Sequence, residues 1–506
     1  MVDKHKSVED IIRSEGPMLS SDIIAIYKKQ GVSPSAARQR VRRRNSLVKS
    51  LNGLPFPKNT NFLYVEGEFG SPKFFEALVK ALLESSPAYA CAISGLEARG
   101  GICLKTDWDI ISAAPVLQQG HLASQEILKR LMAVKLIKEL NVAGIGECIV
   151  FDDRFGSLNF AEFRSRLALE HIVIDMVKNW AIRMCFTSND TVQVRNTTKQ
   201  PKFSTHNFDI VGPSYLYALK KRGSTGVQNG FFVADVIWNN ELSLAQVSGF
   251  LKKITNLSYL KKLGSFQPML VSNGFTKDAL MKCRATGVIT VTPDTLLGRD
   301  VAQALSQLLE TLNKAAEIAI GNPEKIELLF DRLSAIDGIS GNLQGALFEM
   351  LAGHILKDLY AGSIDIGVIV TDHETSRKAD IDLRHVGGDA VTCIECKGYP
   401  SHKKVTIEEV KYWLEKQVPI FYGSQKYEQR FADKRKVYEI WTMGYYEDDA
   451  LEYLNERKDV IKKYDIFWRD NEYVLSQSKK LETKTVYNTL RKYYLEHATD
   501  KKLGLV

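Results

Sequence analysis

Apolar positions along the chain change spacing several times, and each change marks an element. Over residues 1–68, helical spacing in VEDIIRSEG, DIIAIYKKQG and AARQRVRRR predicts three short helices. Ser7 caps the first. Ser20 or Ser21 caps the second, which Gly31 ends, and Ser33-Pro34-Ser35 opens the third with serine as cap and proline in the first turn. Leu51-Asn52-Gly53-Leu54 is a turn, and Asn61-Phe62-Leu63-Tyr64-Val65 reads as a strand. Residues 69–155 look like a second copy: PKFFEALVKALLES, a further helix and SQEILKRL, then alternating runs at 136–140 and 147–151. Residues 156–323 open with a long helix, AEFRSRLALEHIVIDMVKNWAI. Strands follow at Phe208-Asp209-Ile210-Val211, at 231–237 and at Met269-Leu270-Val271, and Gly321-Asn322-Pro323 marks a break. Residues 324–506 repeat that scheme, with a long helix LQGALFEMLAGHILKDLY, a strand pair from Ala379 to Lys397, a helix TIEEVKYWLEKQ and a strand at 437–441. Strands separated by helices predict α/β sheet domains, so the chain is expected to be a multidomain α/β protein with divisions at 1–68, 69–155, 156–323 and 324–506.

Composition changes this picture little. At 506 residues the chain exceeds one core, and 44% hydrophobic with 25% charged residues is that of a globular protein. No stretch is apolar for the ~20 residues that span a bilayer, and the N-terminus lacks a signal-peptide pattern, so a cytoplasmic or nucleoid protein without a membrane partner is expected. The seven cysteines are scattered. Cys393 and Cys396 form a lone Cys-x-x-Cys in an apolar strand, without a second pair, and read as buried free thiols rather than a zinc site. The net charge of +8 only permits nucleic-acid binding; its placement says more, since Arg38, Arg40, Arg42, Arg43 and Arg44 fall within seven residues. By itself such a run is a solvated helix face. Three short helices and a terminal strand resemble a winged helix-turn-helix domain, however. That resemblance implies that the third helix, which carries the arginines, enters the major groove of DNA. The second copy resembles another winged helix without the arginine cluster.

Candidate chemistry concentrates in RKADIDLRHVGGDAVTCIECKG, residues 377–398. Two alternating runs flank Gly387-Gly388-Asp389, the pattern of a β-hairpin. Asp380 and Asp382 share one face of the first strand, and Glu395 and Lys397 share one face of the second. With a Gly388-Asp389 loop, Asp382 falls opposite Glu395 and Asp380 opposite Lys397; with a Gly387-Gly388 loop, Asp380 opposes Glu395 instead. Directly opposed carboxylates repel unless a cation lies between them. Such residues are also compatible with solvated cross-strand charge pairs, but the other strand faces and the flanking helices are apolar, which predicts a covered sheet where unpaired charge is costly.

The arrangement resembles the PD-(D/E)xK, or restriction-endonuclease-like, nuclease superfamily, most closely its Mrr and Holliday-junction-resolvase branch. The match is Asp382, a gap of 12 residues, then Glu395-Cys396-Lys397-Gly398, with Glu349 of GALFEMLAGHIL as the preceding helix acid. The resemblance implies phosphodiester hydrolysis with Glu349, Asp382, Glu395 and Lys397 as the catalytic set. Mg²⁺, for which Mn²⁺ can substitute, would be held by Asp382, Glu395 and the Cys396 backbone carbonyl, with Glu349 ligating directly or through water; Lys397 would orient or help deprotonate the attacking water. Lys411 would either contact phosphate or face solvent.

The preceding segment aligns with the same pattern, with Glu170, Asp209 and Asp235 in place of the three acids and Ile237 in place of the lysine, unless a relocated lysine such as Lys220 serves. The expected architecture is therefore two winged-helix domains followed by two restriction-endonuclease-like domains, the first degenerate and the second active. The expected function is Mg²⁺-dependent DNA cleavage in a restriction or anti-phage role, with DNA and either a second copy or a partner protein as associates. The alternatives are a DNA-binding regulator that does not cut, or a nuclease subunit dependent on an external ATPase, since the chain has no Gly-x-x-x-x-Gly-Lys-Ser/Thr.

Overall fold

In the computed structural model the described residues are 6–116, 118–153, 158–195, 200–223, 226–260, 263–313, 323–334 and 341–496. The expected break at 321–322 and the boundary at 155/156 touch residues outside this set. Contacts divide the chain into two compact units. The first comprises Met1–Leu140, Cys148–Asn159 and Met184–Val291; the second comprises Asn141–Glu147, Phe160–Arg183 and Thr292–Val506. This differs from a succession of four segments. The long helix Phe160–Arg183, expected to open the third segment, belongs to the second unit. Arg164 on that helix is neutralised by three carboxylates of the second unit.

The first unit begins with helices Val8–Glu15, Ser20–Lys29 and Pro34–Arg42 and a small sheet in which Phe62–Val65 lies between Met18–Leu19 and Val48–Ser50. Ser7 closes the first helix N-terminus in a reciprocal bond with Asp10, and Ser33 caps the third ahead of Pro34, as their positions predict. The third helix ends at Arg42, short of Arg44. A second run of helices, Pro87–Glu97, Trp108–Ile111 and Ser124–Ala133, follows with strands Ile102–Leu104, Ile137–Ala143 and Gly146–Phe151, of which the stretch Asn141–Glu147 belongs to the second unit. Leu19, Phe62, Phe74, Leu82, Trp108 and Leu131 belong to one apolar core, so these two runs share a buried interior.

Each unit also holds a sheet of the same topology. In the first, strands lie in the order Ile289–Val291, Phe266–Val271, Gly230–Val236, Ile210–Ser214, Gln193–Val194. The first three are parallel and the last two pair antiparallel. In the second, Asp465–Arg469, Arg435–Thr442 and Ala390–Lys397 are parallel, and Lys378–Val386 and Ser363–Thr371 continue antiparallel. Helices Leu244–Ser258 and Ile407–Tyr412 follow the corresponding central strands. A central strand buried on both faces needs apolar side chains outward and inward; VADV and CIEC satisfy this except at their acids, which is why those acids stand out.

Candidate active site

Three elements of the second unit bring acids together. Helix Gly341–Leu359 presents Glu349, strand Lys378–Val386 presents Asp380 and Asp382 on one face, and strand Ala390–Lys397 presents Glu395 and Lys397. Pairing runs from Val386–Val391 to Leu383–Ile394, and Gly387 N–H donates to the Ala390 carbonyl at 2.9 Å. This is the register of the Gly388-Asp389 loop, so the next rung sets Asp382 opposite Glu395. There the strands part, and the Cys396 N–H donates to Asp382 Oδ2 at 2.7 Å. Lys397 Nζ donates to Glu395 Oε1 at 2.9 Å, and Gln417 Nε2 donates to Glu395 Oε2 at 3.0 Å. Gln417 reaches the site because its helix widens to π geometry over Trp413–Gln417, just before Pro419, which has no N–H to continue an α ladder.

A fourth element was not visible in the motif. Arg164, on helix Phe160–Arg183, donates from Nε to Asp380 Oδ2 at 2.5 Å and from Nη2 to Asp382 Oδ1 at 2.5 Å and Glu349 Oε2 at 3.0 Å. Gly367, at φ +62°, leaves room for this guanidinium; a Cβ there would meet Arg164 Nη1 at 2.7 Å. The helix buries Phe163, Ser165 and Leu169 around Arg164, and the sequence pattern did not set this arginine apart from Arg166. Nothing local pointed to Gln417 either.

Electrostatics follow from burial. Burial disfavours the charge of Arg164, but Asp380, Glu349 and Asp382 outweigh it and hold the guanidinium protonated well above its ordinary range. Burial pushes Glu349 up to about 8 and Asp380 up to about 7, although Arg164 pulls both down. Burial raises Glu395 as well, partly offset by Lys397. Burial opposes the Lys397 charge too, yet Glu395 and Asp382 keep that ammonium above its ordinary value. The Asp380 Oδ1 atom is buried with no hydrogen-bond partner. Lys397 is the member that opens to solvent, with 24% of its side chain accessible against 9% for Glu395.

Among the described residues no group of three or more His, Cys, Asp or Glu is arranged to hold a metal ion. The opposed pair Asp382 and Glu395, with the unpartnered Asp380 oxygen beside them, is nevertheless a hard-oxygen donor set. Mg²⁺ is commonly held by only one or two carboxylates and keeps several waters, so the chemistry of these residues fits that ion, while Arg164 takes the neutralising role on Asp382 and Glu349. Lys411 faces solvent with its ammonium 5.4 Å from the Tyr453 ring, which is the solvent-facing alternative. Cys393 and Cys396 are free thiols, Cys393 fully buried.

The first unit repeats the geometry with a different outcome. Ile210 pairs with Ala234, so the next rung sets Asp209 opposite Asp235, and Val236 N–H donates to Asp209 Oδ2 at 2.6 Å as Cys396 does to Asp382. Lys253 Nζ pairs with Asp235 and donates to the Asn207 carbonyl at 3.0 Å. Arg195 bridges Asp107 at 2.9 Å and Asp209 at 3.1 Å. The lysine paired with this acid cluster is Lys253, while Lys220 is exposed and Ile237 is buried core. Glu170, expected as the helix acid of this copy, lies on a helix of the other unit. Lys253 is only 1% exposed and Asp235 3%, so this cluster is a sealed ion network.

The arginine run divides. Arg38, Arg42 and Arg43 are exposed, and Arg38 and Arg42 lie one turn apart on the third helix. Arg40 is partly buried over the Tyr27 ring at 5.5 Å. Arg44 donates to the carbonyls of Val48 and Val41 and to Ser50 Oγ at 2.7 Å, which makes it a brace of the adjoining strand rather than a free contact.

No protein-family model matches the chain, and no curated protein matches it. Among solved structures it is similar to a protein of unknown function, AF1548, at 13% identity over 31% of this chain and 91% of that one, with a TM-score of 0.19. It is similar to protein VC1899 from Vibrio cholerae at 15% identity, 47% and 55% coverage and a TM-score of 0.15. It is also similar to restriction endonuclease FokI bound to DNA at 12% identity, 58% and 64% coverage and a TM-score of 0.17. The chain thus spans 55% of VC1899 and 64% of FokI. Similarity at these scores carries no argument, and the functional reading rests on the residues.

Two expectations follow. An acid whose folded pKa lies above its unfolded value favours folding below the unfolded value and loses that contribution as pH rises through the folded one. With Glu349 near 8 and Asp380 near 7, the thermal unfolding midpoint of the chain should fall as pH rises from about 4 to about 8 and then level off, and Glu349→Gln should flatten that fall; an unchanged pH slope assigns it elsewhere. In the first unit, Lys253→Met strands a buried carboxylate and should cost about 3–5 kcal/mol in denaturant unfolding, most of it recovered when Asp235→Asn is added.

Proposed function

We propose that the second unit is a Mg²⁺-dependent DNA nuclease of the restriction-endonuclease-like type, and that the first unit binds the DNA and retains a non-cutting copy of the same sheet. The observation that carries this reading is that Asp382 and Glu395 stand one position beyond the last paired rung of the hairpin, with Lys397 salt-bridged to Glu395 and partly open to solvent. Mg²⁺ would be held by Asp382, Glu395 and the Cys396 carbonyl, with Glu349 as the further acid, and when bound it supplies charge neutralisation and a more acidic water. The Cys396 N–H fixes the orientation of Asp382, and Gln417 fixes that of Glu395. Lys397, kept protonated by its acids, is a fixed positive charge beside the position where negative charge develops on a phosphorane-like transition state. Arg164 balances the acids before substrate arrives; a divalent cation at Asp382 would compete with it.

On the exposed third helix, Arg38 and Arg42 supply phosphate or base contacts, in the order of helices and strands of a winged helix-turn-helix. One centre cuts one strand, so duplex cleavage requires a second copy of the chain or a second encounter. A defence role is an analogy from architecture.

The second reading, a DNA-binding regulator that leaves DNA intact, is favoured by the guanidinium seated on Asp382 and Glu349. Incubation of supercoiled plasmid with the full chain and Mg²⁺ or Mn²⁺ separates the two. The nuclease reading expects nicking or linearisation that falls about a hundredfold or more in Lys397→Ala, the scale of losing one pre-organised donor to the transition state, and likewise in Asp382→Ala. Intact plasmid under both metals, with DNA still bound, establishes the regulator.

For the helix, Arg38→Ala with Arg42→Ala should flatten the salt dependence of DNA binding by about 1.8 in log–log slope, the value for two lost phosphate contacts. An unchanged slope would assign this face to protein contacts. Arg44→Ala should lower thermal stability rather than change the slope.

A further inference from the structure

A second charged feature of the second unit lies away from the acids. A cavity of about 690 Å³ opens beside the starts of strands Arg435–Thr442 and Asp465–Arg469. Lys434, Arg435, Lys436, Lys458, Lys462 and Lys463 line it, together with Lys426, and Asp465 is the single acid in the lining. The charges are held in different ways. Lys434 Nζ donates to the Gly387 carbonyl at 2.7 Å, and Lys436 Nζ to the Phe431 carbonyl at 2.6 Å. Carbonyl oxygens fix these ammonium groups in place without cancelling their charge. Lys458 lies over the rings of Phe467 and Trp468 at 5.2 and 5.5 Å, which again orients a cation and leaves it uncompensated. Arg435 lies 3.4 Å from Asp465, and Lys426 pairs with Glu374. Lys462 and Lys463 are exposed.

The contrast with the acidic centre is the argument. There each charge has an opposite partner within hydrogen-bond reach, whereas here cations outnumber the lining acid seven to one. Like charges gathered on one concave surface raise the local potential and concentrate anions. The cations come from separate stretches, 426–436 and 458–463, and spread over more positions than one phosphate group occupies. A repeating anion fits this spread better than a single one. The place in the sheet is also informative. Glu395, Cys396 and Lys397 pair with Ile440, Trp441 and Thr442 at one end of the strand whose other end is Arg435. Six residues at ~3.3 Å per residue put roughly 20 Å between the two.

We propose that this cavity is a phosphodiester-backbone site that anchors nucleic acid about 20 Å from the acidic centre, the reach of ~6 residues of strand. This rests on the nuclease reading for its purpose but not for its test. Full-length protein would be titrated into a fluorescent DNA duplex without divalent metal across a range of NaCl concentrations, comparing wild type with Lys462→Ala/Lys463→Ala and with Lys462→Glu/Lys463→Glu. Both positions are exposed, and circular dichroism with thermal unfolding checks that each variant folds. The expected result is a log–log salt slope shallower by about 1.8 in the alanine pair and a larger loss of affinity in the glutamate pair. Equal slopes in folded wild type and variants overturn the proposal, as does a wild type that binds no duplex. ATP or pyrophosphate binding that is lost in the variants while their DNA slopes match wild type overturns it in favour of a free-anion site. Altered slopes in a protein that never cuts plasmid keep the anchor and remove the nuclease.

Discussion

Glu349, Asp380 and Asp382 meet on the inner side of a covered sheet, and one guanidinium, that of Arg164, answers all three. Carboxylates at this depth either take up protons or find a cation, because water is too remote to solvate them. Both responses are present: Glu349 and Asp380 are displaced toward their neutral forms, and Arg164 is held firmly charged. This neutralisation connects helix Phe160–Arg183 to the strands of the second unit, and the notch at Gly367 is shaped for it. The acids therefore already have a cation beside them.

The two sheets present the same problem solved twice. Each has an aspartate opposite a second acid, with the following backbone N–H bonded to the aspartate. In the first unit Lys253 and Arg195 saturate the acids and the cluster is sealed, leaving a stable internal ion network without an opening for substrate. In the second, Lys397 remains on the strand with part of its side chain in solvent. The two clusters thus differ in where the cation is anchored: on the following helix it is locked in, on the strand end it is partly exposed.

Charge elsewhere follows a consistent division. The arginines at Arg40 and Arg44 are used by the fold, one on an aromatic ring and one on backbone carbonyls, while Arg38 and Arg42 are left exposed. In the second unit Lys434, Lys436 and Lys458 are braced by carbonyls and rings that do not cancel their charge. Orientation without cancellation suits binding of a charged backbone. Full pairing, as at Lys253, suits stability.

The sequence alone determined the period of the strands, the caps of the first and third helices and the alternation that puts Asp382, Glu395 and Lys397 on chosen faces, because these depend on neighbours within a few residues; the second helix, by contrast, starts at Ser20 with Leu19 at its N-cap rather than a serine. It narrowed the hairpin to two registers, and the backbone pairing selected the one that opposes Asp382 to Glu395. What only the tertiary structure decided are the partners far apart in the chain. Arg164 lies more than two hundred residues from Asp380, separated in sequence by 216 positions, and no local pattern links them. Gln417 arrives through a widened helix turn, and Lys253 rather than Lys220 pairs with Asp235. The assignment of helix Phe160–Arg183 to the second unit was likewise illegible from periodicity, since spacing reports that a helix buries a face but not which acids will neutralise it.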